Sequence, residues 1–266
     1  MKSVLVHINR DDGQEARFQT ALDVVRAFEG HLTCLQVSPL EAFASLDPYG
    51  VSYLLSETVS RIRELSAEEQ FAFEERLRNE VLTWDWHSQT GDPVRLIGDH
   101  SWLADLVILS SPGEDWARDT AAAVAVRSRE PVLVVPAESR GFDCGGPVAI
   151  AWNGSAESCV AIRAAMPLLT RAQAVHLLTV AEEDEFDFPA TEASAYLSRH
   201  GVASELVELP RGAAPISDTL LHAAEARGTT CLVMGAYGHS RLRENILGGV
   251  TRGMLQKSHI PLLLAH

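Results

Sequence analysis

The sequence has few of the features of proteins that bind nucleic acid, span a membrane or hold a structural metal. Its four cysteines stand far apart and form no CxxC pair, which excludes a zinc site built on closely spaced thiolates. No apolar run approaches the ~18–20 residues that cross a bilayer. Lysine and arginine number 22 against 36 aspartates and glutamates, and the net charge of −14 repels nucleic acid and anionic lipid. We therefore expect no nucleic-acid partner and no membrane partner.

The remaining composition is that of a soluble globular protein. The opening segment MKSVLVHINRDDG lacks the long apolar core of a secretory signal, so we expect a cytoplasmic location. Hydrophobic residues make up 46% of the 266 residues. That length accommodates one large domain or two of roughly 130 residues. Cys34 and Cys231 lie in apolar runs, where we expect them to be small buried side chains.

The chain contains one pattern twice. Each half begins with a short apolar run that ends at an asparagine, Asn9 in SVLVHIN and Asn153 in PVAIAWN. A polar stretch, an amphipathic helix and a second apolar run follow in both. The ends also correspond, because DLVILSSPG leads to PVLVVPA and TCLVMGAYG leads to PLLLAH. The sequence therefore predicts a tandem repeat with domains at residues 1–140 and 146–266.

Apolar runs alternate with helical patterns in each half. In the second half they predict strands near 147–153, 174–180, 203–209, 230–235 and 260–265, with helices near 156–168, 190–200, 214–227 and 246–258. Near-continuous apolar strands alternating with helices are typical of an α/β fold with a doubly wound parallel sheet. In the first half, residues 52–80 predict a long charged helix with a solvated outer face.

Four glycines surround the last strand-to-helix connection. Gly235 and Gly238 follow the apolar strand CLVM, and Gly248 and Gly249 precede a predicted helix. Ligands of open α/β sheets bind outside the carboxyl ends of strands, glycine lets backbone approach a ligand, and a helix start attracts anions. The pattern thus predicts a site for a phosphate chain, although glycines also mark ordinary turns. It is neither the P-loop GxxxxGK[ST] nor the Rossmann GxGxxG.

With these glycines the second half resembles the universal stress protein family, whose ATP-binding members carry G-x2-G-x9-G-[S/T] after the fourth strand. Gly235, Gly238 and Gly248 match the spacing, while Gly249 takes the place of the hydroxyl residue and keeps its backbone N–H. Thr251 matches a further hydroxyl position. Asn153 stands where the adenine-side segment of the family usually has aspartate, and an amide can still donate and accept.

The resemblance implies a five-stranded parallel sheet in each half, of the adenine nucleotide alpha hydrolase-like type, with ATP, alone or with Mg, under the glycine loop. The implied nucleotide-binding residues are Ala151, Trp152, Asn153, Val180, Met234, Gly235, Gly238, His239, Arg241, Gly248, Gly249, Val250 and Thr251. Tandem members resemble a dimer fused into one chain, related by a pseudo-twofold axis. PVLVVPA and PLLLAH are then expected to pair; alternatively, each is only the last strand of its own sheet. A homodimer of the chain stays open.

Three of these side chains have an alternative role. Trp152 can shelter the adenine or lie in the core. Arg241 can reach phosphate oxygens and His239 can reach ribose or phosphate, or both can face solvent on a loop.

The first half departs further from the family pattern. Ser110 replaces the first glycine and Gly113 keeps the second, but no glycine follows up to residue 140. Glu114, Asp115 and Asp119 place negative charge where phosphates would lie, which is unfavourable. We therefore expect a degenerate first site and one nucleotide per chain.

No catalytic constellation stands out. The sequence lacks G-x-S-x-G, HExxH and a paired-carboxylate spacing. The favoured hypothesis is a stress-response or signalling protein that binds ATP in its second domain and acts through its conformation or an unidentified protein partner. The alternatives are a slow ATPase or other adenine-nucleotide hydrolase-like enzyme, and a nucleotide-free protein that binds a small ligand or a partner.

Overall fold

Among the residues that the structure describes, the first half has five strands and four helices. A computed structural model describes residues 1–39, 52–111, 117–181, 188–236 and 249–266 of the chain. In the first half these contain β1 (Ser3–Ile8), α1 (Gln14–Phe28), β2 (His31–Pro39), α2 (Ser52–Arg78), β3 (Thr83–Gly91), α3 (Pro93–Ser101), β4 (Leu106–Ser110), α4 (Ala117–Arg127) and β5 (Val132–Val135).

The second half repeats this order. Its elements are β6 (Val148–Trp152), α5 (Ala156–Leu169), β7 (Val175–Val180), α6 (Ala190–Arg199), β8 (Glu205–Leu209), α7 (Ile216–Glu225), β9 (Cys231–Gly235), α8 (Gly249–Lys257) and β10 (Leu262–Ala265). The strands and helices predicted for this half are confirmed, with ends that differ by one or two residues. Residues 246–248, where the last helix is predicted to begin, lie outside the described residues.

The ten strands form one sheet in the order β3-β2-β1-β4-β5-β10-β9-β6-β7-β8. Neighbouring strands within each half are parallel, whereas β5 and β10 pair antiparallel. The two five-stranded sheets therefore join edge to edge through their last strands, which confirms the predicted pairing. Leu133 lies opposite Leu263, and each is the second residue of its strand. This symmetric register places the pseudo-twofold axis at that pair.

Helices cover both faces of the sheet, as the near-continuous apolar strands require. On one face α1, α2, α5 and α6 pack over a buried cluster that runs through both halves, from Phe18 to Leu133, Leu263 and Leu197. On the other face α3, α4, α7 and α8 cover a second cluster that also draws on both halves. The two repeats therefore share their cores across the β5–β10 seam.

The long helix α2 has the solvated outer face that its charges predict. Of its apolar side chains, Phe73 and Leu77 are buried against the sheet, whereas Phe71 is 58% exposed. Cys34 and Cys231 are fully buried, as expected. Among the described helices none is long and apolar enough to span a membrane.

Candidate functional site

The candidate site lies at the carboxyl ends of β6 and β9, which are neighbours in the sheet. Ala151 of β6 pairs with Met234 of β9, so both strands end at the same edge. From β6 the chain continues to β7 on one side, while β9 and β10 lie on the other. The strand order therefore reverses between β6 and β9, and this is the switch point at which open α/β sheets hold ligands.

The connection from β6 to α5 is ordered by side-chain hydrogen bonds. The Asn153 Oδ1 atom accepts from the Ser155 backbone N at 3.3 Å and from the Ser155 hydroxyl at 2.8 Å. The Ser155 hydroxyl in turn accepts from Ser158 N at 3.2 Å and caps α5. Gly154 lies between them at φ 70°, a left-handed conformation that favours glycine. Asn153 is exposed and its oxygen is engaged, which leaves its amide N–H groups to act as donors.

Gly235 ends β9 where the strand meets the first turn of α5. A Cβ at this position would lie 2.6 Å from the Glu157 carbonyl carbon and 2.7 Å from Ser158 N. Glycine is required here because two backbones approach each other, whereas the sequence suggests an approach to a ligand. The contact also brings the Glu157 side chain to the end of β9, a neighbour that the glycine spacing does not reveal.

The residues that begin α8 divide into open and buried positions. Gly249 is exposed, and a Cβ there would meet no atom within 4 Å. Val250 is partly buried, and Thr251 is buried at 5% exposure. Of the predicted contact residues Gly238, His239, Arg241 and Gly248 lie outside the described residues, so their roles stay predictions.

Three predicted contact residues lie largely within the protein. Val180 and Met234 are buried in the cluster beneath α7 and α8, next to the partly exposed Ala151. Trp152 points to the opposite face, where its indole is buried and its Nε1 donates to the Phe188 carbonyl at 3.2 Å. Of the two roles considered for its side chain, the structure shows the one in the core. At the end of β6, Trp152 therefore presents only its backbone to the candidate site.

The corresponding edge of the first half is filled by an internal cation. Arg17 is fully buried in α1. Its guanidinium donates to both Asp11 carboxylate oxygens at 3.2 and 3.1 Å, to the Asn9 carbonyl at 2.9 Å and to the Ser110 hydroxyl. Ser110 ends β4 as Gly235 ends β9, and it packs on Gly13, where a Cβ would lie 2.8 Å from the Ser110 Cβ.

His7 adds to this filling of the first edge. It is the last residue but one of β1, the place that Ala151 has in β6, and it is buried with an unpartnered Nε2. Burial, with a smaller contribution from the charge of Arg17, lowers the pKa of His7 to about 3. The imidazole is therefore neutral at pH 7. The predicted degeneracy rested on Ser110 in place of the first glycine, on the lack of later glycines and on three acidic residues. Of these three, Glu114 and Asp115 lie outside the described residues, and the side chain of Asp119 is not described.

Solved structures with this architecture cover nearly the whole chain. A universal stress protein from Archaeoglobus fulgidus DSM 4304 is 15% identical, with a TM-score of 0.75 over 99% of this chain and 96% of its own. A putative universal stress protein from Pseudomonas aeruginosa UCBPP-PA14 is 14% identical, with a TM-score of 0.65 over 100% and 93%. At these identities the likeness shows the fold alone. No curated protein matches the sequence.

The sequence itself matches one family in both halves. Residues 1–136 and residues 146–266 each match the universal stress protein family, which agrees with the repeated strand order and the fused sheet. The chain belongs to the universal stress protein family, as a tandem protein with one copy in each half.

Proposed function

We propose that the second half binds an adenine nucleotide, ATP, at the carboxyl edge of β6 and β9, and that the first half binds none. One observation carries this proposal. Corresponding positions are open in the second half, where Ala151 and Gly235 are partly exposed, and closed in the first half, where His7 and Ser110 are buried. A ligand can enter only where the strand ends are open. The first edge has no such space, because protein side chains already occupy it.

The chemistry of the second edge suits a nucleotide. Asn153 offers amide donors for a base or a ribose. Gly249 is the first described residue of α8, and the free N–H groups and positive dipole end of a helix start favour phosphate. The family glycine spacing, with Gly238 and Gly248, would place the phosphates between that helix start and β9.

The proposed biological role is a cytoplasmic stress-response protein that acts through its nucleotide-dependent conformation or through a protein partner. In this proposal residues 1–140 form the domain with the closed edge, and residues 146–266 form the domain that binds ATP. We propose that this edge supplies hydrogen-bond donors that bind the nucleotide. No general base is proposed there, so we expect hydrolysis of ATP to be slow.

Calorimetry with the full chain tests the proposal. After removal of co-purified nucleotide, which mass spectrometry identifies, we expect ATP to bind at one site per chain. Gly238→Val should abolish binding without unfolding the protein, because it places a side chain where the family motif brings backbone to phosphate. Two equivalent sites would contradict the asymmetry of the halves. Absence of ATP binding would contradict the proposal itself.

A further inference from the structure

A buried carboxylate oxygen without a partner lies in the first turn of α5. The Oε2 atom of Glu157 is inaccessible to solvent and makes no hydrogen bond. The Glu157 Cβ would be 2.8 Å from a Cβ on Gly235, so the side chain leaves the helix at the end of β9. A carboxylate is thus held at the edge where the proposed nucleotide site lies.

A buried anionic oxygen without a donor is destabilising, and folded proteins normally give such atoms a partner. The described part of the chain supplies no cation to Glu157. It also contains no group of three or more histidine, cysteine or acidic residues able to hold a metal alone. A cation at Glu157 would therefore need further oxygen ligands beyond those of the described residues, and phosphates can supply them.

The position that corresponds to Glu157 has different surroundings in the first half. Gly13 stands four residues after Asn9, as Glu157 stands four residues after Asn153, so this position carries no side chain in the first half. The nearby Asp11 carboxylate is paired with Arg17. In the first half the end of β4 is instead contacted by the positive guanidinium of Arg17. The place that corresponds to Arg17 in the second half is the buried Ala161. One edge thus carries its own cation, and the other has an unpaired anion.

We infer that Glu157 binds a divalent cation that enters with the phosphates of ATP, so that this site takes the metal–nucleotide complex in preference to free ATP. The inference rests on the proposed nucleotide site. Magnesium is commonly held by one or two carboxylates together with substrate phosphates and waters, which is the ligand set available here. Without the cation, the phosphates and Glu157 would repel each other.

Calorimetric titrations of the full chain with ATP, in Mg²⁺ and in EDTA, test this inference. The wild type should bind ATP at least ~10-fold more tightly in Mg²⁺, because the cation cancels the repulsion and joins both anions. In Glu157→Gln the ratio of the two affinities should fall toward about one. Glu192→Gln is the matched control, since Glu192 also lies in the first turn of its helix but is exposed. It should keep the wild-type ratio.

Two further measurements separate the alternatives. Mn²⁺ with ATP should give an immobilised electron paramagnetic resonance signal on the wild type and a weaker one on Glu157→Gln. Adenosine, which carries no phosphate, should bind both proteins equally and shows that the variant is folded.

Several results would overturn the inference. An Mg²⁺ dependence that persists in Glu157→Gln overturns it while leaving the nucleotide site intact. So does a variant that binds ATP more tightly in both buffers, since Glu157 would then only repel phosphate. Rapid hydrolysis that disappears in the variant without a change in the affinity ratio would make Glu157 a general base instead. If the wild type binds neither ATP nor adenosine, the proposed function fails as well.

Discussion

His7 links the closed first edge to the pH dependence of stability. Its pKa is about 3 in the folded protein and 6.5 in the reference state, because burial disfavours the imidazolium. The unfolded chain therefore takes up a proton below pH 6.5 that the folded chain refuses until about pH 3. Stability must fall as the pH drops through this window.

Substituting His7 by glutamine should remove this contribution. Between pH 7.5 and pH 5.5 the wild type should lose about 1.4 kcal/mol more unfolding free energy than His7→Gln. Urea unfolding at the two pH values measures the difference. His222→Gln, which removes an exposed histidine of α7, should retain the wild-type dependence. Equal pH dependence in wild type and His7→Gln would show that the imidazole is not buried in solution.

Gly249 offers a test of where the phosphates lie. It is the first residue of α8, and its surroundings leave room for a side chain. A hydroxyl there adds one hydrogen bond to a phosphate, ~0.5–1.5 kcal/mol net, so Gly249→Ser should tighten ATP binding several-fold. Titration with adenosine is the control and should show no change. An equal effect on adenosine, or no effect on either ligand, would mean that the start of α8 does not face phosphate.

At the scale of elements, Gly235 sets how closely β9 approaches α5. Gly235→Ala should destabilise the protein by about 1–3 kcal/mol, because the methyl group would overlap backbone atoms that cannot rotate away. Gly249→Ala is the control: a helix position with free space should gain roughly 0.5–1 kcal/mol instead. Chemical unfolding measures both. A Gly235→Ala variant of wild-type stability that no longer binds ATP would favour the role in ligand approach that the sequence suggests.

The elements themselves could be predicted from the sequence, since each depends on a local pattern. Apolar runs marked the strands, and their repetition indicated the α/β fold and the two halves. The contacts of the candidate site could not be predicted in this way. Arg17 reaches Ser110 and Glu157 reaches Gly235 across long stretches of chain, so no local spacing reveals either pair. The burial of Trp152 likewise depends on which face of the sheet it occupies.

At the scale of the molecule, the two repeats differ at the carboxyl ends of their strands, but they share one sheet and its hydrophobic cores. The connecting segment is bonded to both halves, since the Phe142 backbone N donates to the Asp23 carboxylate of α1 at 2.9 Å and the Gly145 carbonyl accepts from Gln173 N at 2.8 Å. Phe142 and Cys144 also pack in the cluster that both halves share. Because a shared core couples its parts, the stability of each half depends on the other half.

This continuity predicts that the two halves unfold as one unit. Single-tryptophan variants that retain Trp86 in the first half or Trp152 in the second should show the same urea midpoint by fluorescence. Leu133→Ala removes a buried side chain at the seam and should lower the unfolding free energy by about 2–5 kcal/mol. Both urea midpoints should therefore fall together. Phe71→Ala, at an exposed site of α2, should leave both nearly unchanged. Separate midpoints, or a shift confined to the first half, would show that the β5–β10 pairing joins two independently stable domains.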